Sequence, residues 1–217
     1  MALVSFLVLG AVAATAQSDL SRPNQTDPHI FRLNPKSDGV KGTPYLFENY
    51  QPARISLVGG KVYDEIPFNI LLEKGEVIIQ SLDGEGKGMV LRNWEWIETA
   101  EQDPRLFRIE YVEGKPNFVE IIFENDKQKL VARHSKPLIR PTGQRDGYSG
   151  PQFDEYRHDI HYFWLRGLQS EELKINNQGL KLIAGEKLSD IREYIKANKL
   201  KPDQPQDLKK IMKFLNP

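Results

Sequence analysis

From residue 44 onward, apolar and polar side chains alternate in short runs separated by glycine- and asparagine-containing turns. In Ala53-Arg54-Ile55-Ser56-Leu57 the period is two, which buries one face of a strand. Gly59-Gly60 supplies the positive φ angles of a hairpin turn, and Val62 and Tyr63 begin the return strand. Pro67 cannot donate to a ladder and marks an edge, a bulge or a strand start. Phe68 to Leu72 resumes the pattern, Lys74-Gly75 turns, and Val77 to Ile79 reads as a more deeply buried strand. Met89 to Ile97 reads as one strand with Trp94 and Trp96 on the same side. Leu106 to Val112 and Asn117 to Glu124 form a hairpin, followed by Lys129 to Arg133 and the aromatic strand Ile160 to Leu165. Leu173 to Ile175 and Leu180 to Ile183 suggest a last hairpin about Asn176-Asn177.

The period then becomes helical. Leu188, Ile191, Tyr194 and Ile195 share one face, and Leu208, Ile211, Met212 and Leu215 make a second stripe. Asp203 is placed to cap that last helix, with Pro205 in its first turn and Gln206 at the capping-box position. The fold class expected is mainly β (α+β): an antiparallel meander forming an open barrel or sandwich, with two short C-terminal helices. The domain spans 44–183, and the helical pair, 184–217, packs on it.

The N-terminal region has a different character. Leu3 to Val12 is an apolar block too short to span a bilayer, and Ala14-Thr15-Ala16 gives the A-x-A pattern of a signal-peptidase site. Residues 1–16 therefore read as a signal peptide, cleaved to leave Gln17, although no lysine or arginine precedes the block. Residues 17–43 are polar and proline-punctuated, a leader or strap with little to bury. The 217 residues contain no cysteine, which excludes disulfides, thiolate metal sites, a thiol nucleophile and a lipid-anchored cysteine at the cleavage point. A small cysteine-free exported domain fits a bacterial envelope or extracellular setting better than a eukaryotic secretory one. Lysine plus arginine and aspartate plus glutamate each number 30, so net charge offers no reason to expect a nucleic acid partner. No later segment has the roughly 20 apolar residues of a membrane-spanning helix.

Tyr45-Leu46-Phe47-Glu48-Asn49-Tyr50-Gln51-Pro52, the alternating strand after it and the Gly-Gly-Lys-Val-Tyr turn resemble the opening of uncharacterised exported proteins common in Bacteroidetes. Ile195 to Leu200 and the helix beginning Gln206-Asp207-Leu208 resemble the tails of the same proteins. The chain departs from that pattern at Tyr50, where tryptophan is usual, and at Ala53, where glycine is usual. The resemblance implies export from a Gram-negative bacterium, to the periplasm or beyond. It implies no activity and no catalytic residues.

Chemistry-bearing residues concentrate after Pro141. His158 and His161 converge if the local chain is turned, and Asp154, with Glu155, would complete an oxygen–nitrogen metal site. On a strand the same histidines point apart and are ordinary surface residues. Ser149 lies in a glycine-rich loop near His158 and Asp159, but no G-x-S-x-G elbow marks it as a nucleophile. Asp154 and Glu155 are an acidic pair of the kind glycosidases use, and of the kind any β-protein carries. Gly84, Gly86 and Gly88 lack both the lysine-threonine ending and the following helix of a phosphate-binding loop. Tyr148, Tyr156 and Trp164 are candidate ligand-binding aromatics, although most aromatics at alternating strand positions pack in a core.

The expectation is an exported, non-catalytic envelope or secreted module that binds a protein or glycan and needs no cofactor. The alternative is a hydrolase or metal-dependent enzyme centred on the 143–161 loop. A subunit of a larger complex is a third reading.

Overall fold

The computed structural model describes residues 39–80, 88–140 and 153–216. The first half holds β1 (Val40–Lys41), β2 (Gln51–Leu57), β3 (Val62–Leu71), β4 (Glu76–Gln80), β5 (Gly88–Leu91) and β6 (Trp94–Thr99). Then come β7 (Leu106–Val112), β8 (Lys115–Glu124), β9 (Lys129–Ser135), β10 (Leu138–Ile139), β11 (Asp154–Tyr156), β12 (Asp159–Arg166) and β13 (Gln169–Leu173). Helices α1 (Asn177–Ala184), α2 (Leu188–Asn198) and α3 (Pro205–Leu215) close the chain.

Ten strands form one antiparallel sheet in the order β13-β12-β9-β8-β7-β6-β2-β3-β4-β5. It is two meanders joined where β6 pairs with β2, and among the described residues its edge strands are β13 and β5. The mainly-β antiparallel architecture with C-terminal helices is the one the hydrophobic pattern predicts. The sheet is open but curled: the backbone N–H of Glu113, just past β7, donates to Ser170 Oγ on β13 at 2.8 Å, with β12, β9 and β8 between them. Val112, Val119, Ile121, Val131, Phe163 and Leu165 pack together within this curl. The three-stranded sheet β1-β11-β10 stands apart.

Three other clusters fill the molecule. Ala53, Ile55, Phe68, Ile70, Ile97, Phe107 and Phe118 pack with Leu46 at the β2–β7 end. Phe107 and Phe118 are stacked 5.2 Å apart. Buried Asn69 fixes the approach of the preceding chain: its Nδ2 donates to the Phe47 carbonyl at 2.9 Å, and its Oδ1 accepts from the Phe47 N–H at 3.1 Å. At the other end Ile122, Leu130, Ala132, Tyr162 and Leu173 lie under Leu208 and Met212 of α3. Ile191 of α2 and Ile211 of α3 lock those two helices together.

Four local expectations are corrected. Met89 to Ile97 is two strands, because Asn93 takes a left-handed conformation (φ 58°) and redirects the chain from β5 to β6 beside β2. Val62 to Leu71 is one strand through Pro67, which lies opposite Pro52 next to a register shift between Ala53 and Ile55. The hairpin about Asn176-Asn177 is a helix start instead: Asn176 Oδ1 accepts from the N–H groups of Gln178 and Gly179, capping α1. Gly179 is required there, since a Cβ would fall 1.9 Å from the Lys174 carbonyl oxygen. At α3 the N-cap residue is Gln204 rather than Asp203, with Pro205 in the first turn as expected.

Candidate functional site

The sheet register assembles a polar chain that crosses three strands and ends at the surface. Phe107 on β7 lies opposite Glu120 on β8, and Glu120 opposite Ala132 on β9, so His134, two residues along, shares that face. Arg105, just before β7, is on the same face by the same alternation. Its guanidinium forks onto Glu120, with Nε donating to Oε1 at 3.1 Å and Nη2 to Oε2 at 2.7 Å. Glu120 Oε2 also lies 2.9 Å from His134 Nε2, and His134 Nδ1 lies 3.0 Å from His158 Nε2. Side-chain exposure is 13% for Arg105, 1% for Glu120 and 0% for His134, whereas His158 is at the surface.

The protonation pattern follows. Burial, the largest single influence on Glu120, pushes its carboxyl pKa up. The His134 hydrogen bond and the charge and hydrogen bonds of Arg105 together outweigh it and hold the group at about 2. An ionised carboxylate only accepts, so the proton between them sits on His134 Nε2. The 3.0 Å contact between His134 Nδ1 and His158 Nε2 is one hydrogen bond, which leaves His158 Nδ1 as that ring's remaining polar atom. Partial burial of the imidazole, although the residue is exposed overall, is reinforced by His134, Lys136 and Arg105; together they lower the pKa of His158 to about 4 and keep it uncharged at neutral pH.

Arg105 is held from behind by two aromatic rings, its guanidinium 5.0 Å from the Phe47 centroid and 5.2 Å from that of Phe107. From the helical side, Lys209 of α3 donates to the Pro104 carbonyl at 2.6 Å, and Tyr162 Oη donates to the Asp203 carbonyl at 2.8 Å. At its outer end the chain reaches a cleft of about 390 Å³ between the start of β12, the end of β13 and the Asp203–Gln204 turn. His158, His161, Tyr162, Glu172 and Lys174 are among its walls.

The sequence-predicted residues distribute as follows. His158 and His161 both line this cleft, but on separate pairs: His161 Nδ1 lies 2.9 Å from Glu172 Oε1. Asp154 is fully buried in the small β1-β11-β10 sheet, not beside them. Among the described residues no group of three or more His, Cys, Asp or Glu side chains is placed to hold a metal ion. Tyr156 is half-buried on β11, and Trp164 lines a second cleft with Phe123. Tyr148 and Ser149, with most of the 143–161 loop, lie outside the described residues. Sequence reasoning missed Arg105, Glu120 and His134. The available signal was a glutamate in the middle of the apolar run Phe118-Val119-Glu120-Ile121-Ile122.

Among the described residues no helix is long and apolar enough to cross a membrane. No protein-family model, no curated protein and no solved structure matches the chain.

Proposed function

We propose that the protein is an exported, non-catalytic binding module of the bacterial envelope or extracellular space, and that the cleft at His158 takes a small ligand rich in hydrogen-bond donors. The observation that carries this reading is the immobilisation of His158. Its Nε2 is fixed 3.0 Å from a buried histidine that is itself fixed on a buried carboxylate, so the ring is pre-oriented with Nδ1 as its remaining polar atom. Glu172, Asp159 and Asp203 on the same walls favour donor groups such as hydroxyl or ammonium.

A carboxylate–imidazole pair also invites a general-base reading, and two observations weigh against it. A base whose conjugate acid titrates at about 4 is weak at neutral pH, where catalytic bases are tuned near 7. His134 has no exposed side-chain surface with which to touch a substrate. Recognition asks only for a fixed polar group.

The test is protein-observed NMR of residues 17–217 against a set of polyols, amino sugars and small amines. The expected result is saturable shifts confined to His158, His161, Lys174 and Gln204, abolished by His158→Ala. Shifts scattered elsewhere, or unchanged by that substitution, would sink the proposal.

A further inference from the structure

We infer that a second cleft, between the β12–β13 hairpin and helices α1 and α3, is a carbohydrate site that takes a neutral pyranose unit. Its volume is about 490 Å³, within the roughly 300–1,000 Å³ of small-molecule sites. This inference goes beyond the reading of the His158 cleft and stands on different side chains; only the Glu172–Lys174 stretch borders both.

Three features define the ligand. First, Phe123 on β8, Leu130 on β9 and Trp164 on β12 lie in one cross-strand row, and the two rings meet at 83° with centroids 6.4 Å apart. A right-angled apolar corner suits the C–H face of a sugar ring, which stacks without needing a flat partner on both sides. Second, Arg166, Glu171, Lys174 and Gln178 stand round that corner. Planar guanidinium, carboxylate and amide groups bond pairs of ring hydroxyls in their own planes, and the contacts Arg166 already makes, to Gln128 at 3.3 Å and to Glu171 at 3.8 Å, are long and exposed enough to be exchanged for such hydroxyls. Third, Arg166 and Lys174 are balanced by Glu171 and Glu172, so the cleft has no net charge to attract an ion. The wall formed by α1 is itself built in, because Gly179 lets that helix rest against the Lys174 carbonyl.

The experiment is isothermal titration of residues 17–217 with maltohexaose, cellohexaose and chitohexaose, and with polygalacturonate as the anionic comparison. At least one neutral hexasaccharide is expected to bind saturably. Trp164→Ala should weaken it at least tenfold, equivalent to about 1.4 kcal/mol. Because Trp164 also packs on Phe123, the surface substitutions Arg166→Ala and Gln178→Ala provide the same test without touching the core, and each should weaken binding several-fold. Arg54→Ala, on β2 in the other half of the sheet, should leave it unchanged. The inference is overturned if none of the neutral sugars binds, if polygalacturonate is preferred, or if Arg166→Ala and Gln178→Ala bind as wild type.

Discussion

Glu120→Gln removes one charge and almost no volume, and so isolates the buried ionic chain. In the wild type the carboxylate faces a forked guanidinium and an imidazole, all with side-chain exposure of 13% or less. The glutamine amide cannot compensate Arg105, and breaking a buried pair by removing one partner costs about 3–5 kcal/mol. The pH dependence gives a second estimate. A carboxyl that titrates near 4.5 when unfolded and at about 2 here favours the folded state by about 3 kcal/mol. Because the folded value is the depressed one, that stabilisation is complete above pH 4.5 and is lost as pH falls from there through about 2. Urea unfolding at pH 7 should therefore show Glu120→Gln less stable by about 3–5 kcal/mol, with the gap narrowing between pH 5 and pH 2. Adding Arg105→Met should recover part of the loss, because the orphaned charge is then gone. A deficit under about 1 kcal/mol at pH 7, or one that does not change with pH, would refute the reasoning.

Three further outcomes are expected. Imidazole NMR should find His158 titrating at about 4, and His134→Phe, by removing the electrostatic influence of the neighbouring imidazole, should move it upward; titration near 6.5 in the wild type would contradict the burial argument. Gly179→Ala should destabilise by about 2 kcal/mol in thermal or urea melts, since the Lys174 carbonyl is backbone and must move to admit the methyl; an unchanged midpoint would show that α1 can slide away. Full-length protein expressed in a Gram-negative host should be recovered outside the cytoplasm with Gln17 at its N-terminus, and an intact Met1 would remove the case for export.

The strands were legible because each carries its own period: Ala53 to Leu57 alternates whatever it pairs with, and Gly59-Gly60 turns locally. The C-terminal helices were legible for the same reason. Errors fell where a local signal had two readings. Asn176-Asn177 is both a hairpin turn and a helix cap, and only Leu180, Ile183 and Ala184 at helical spacing distinguish them. Asn93 in a left-handed conformation is not visible in Met89 to Ile97, whose residues otherwise suit a strand. The polar chain was illegible in principle, because Arg105, Glu120, His134 and His158 become neighbours only through the register of β7, β8, β9 and β12. Sequence spacing misled in the other direction for His161 and Asp154, which are near His158 in the chain but engaged elsewhere.

The placement of that polar chain is the strongest argument for a recognition role. A buried Arg–Glu–His row stabilises a core no better than apolar side chains of equal volume, because desolvation offsets most of the attraction. What apolar residues cannot do is hold a surface imidazole by one nitrogen. The row runs from Phe47 and Phe107 behind Arg105, past the contact of Lys209 on α3 with Pro104, to the rim of the His158 cleft. Each link restrains the next, so the rigidity of the core is transferred to one imidazole. A fixed polar group costs a ligand less ordering entropy than a mobile one, and that gain exists only if something binds there.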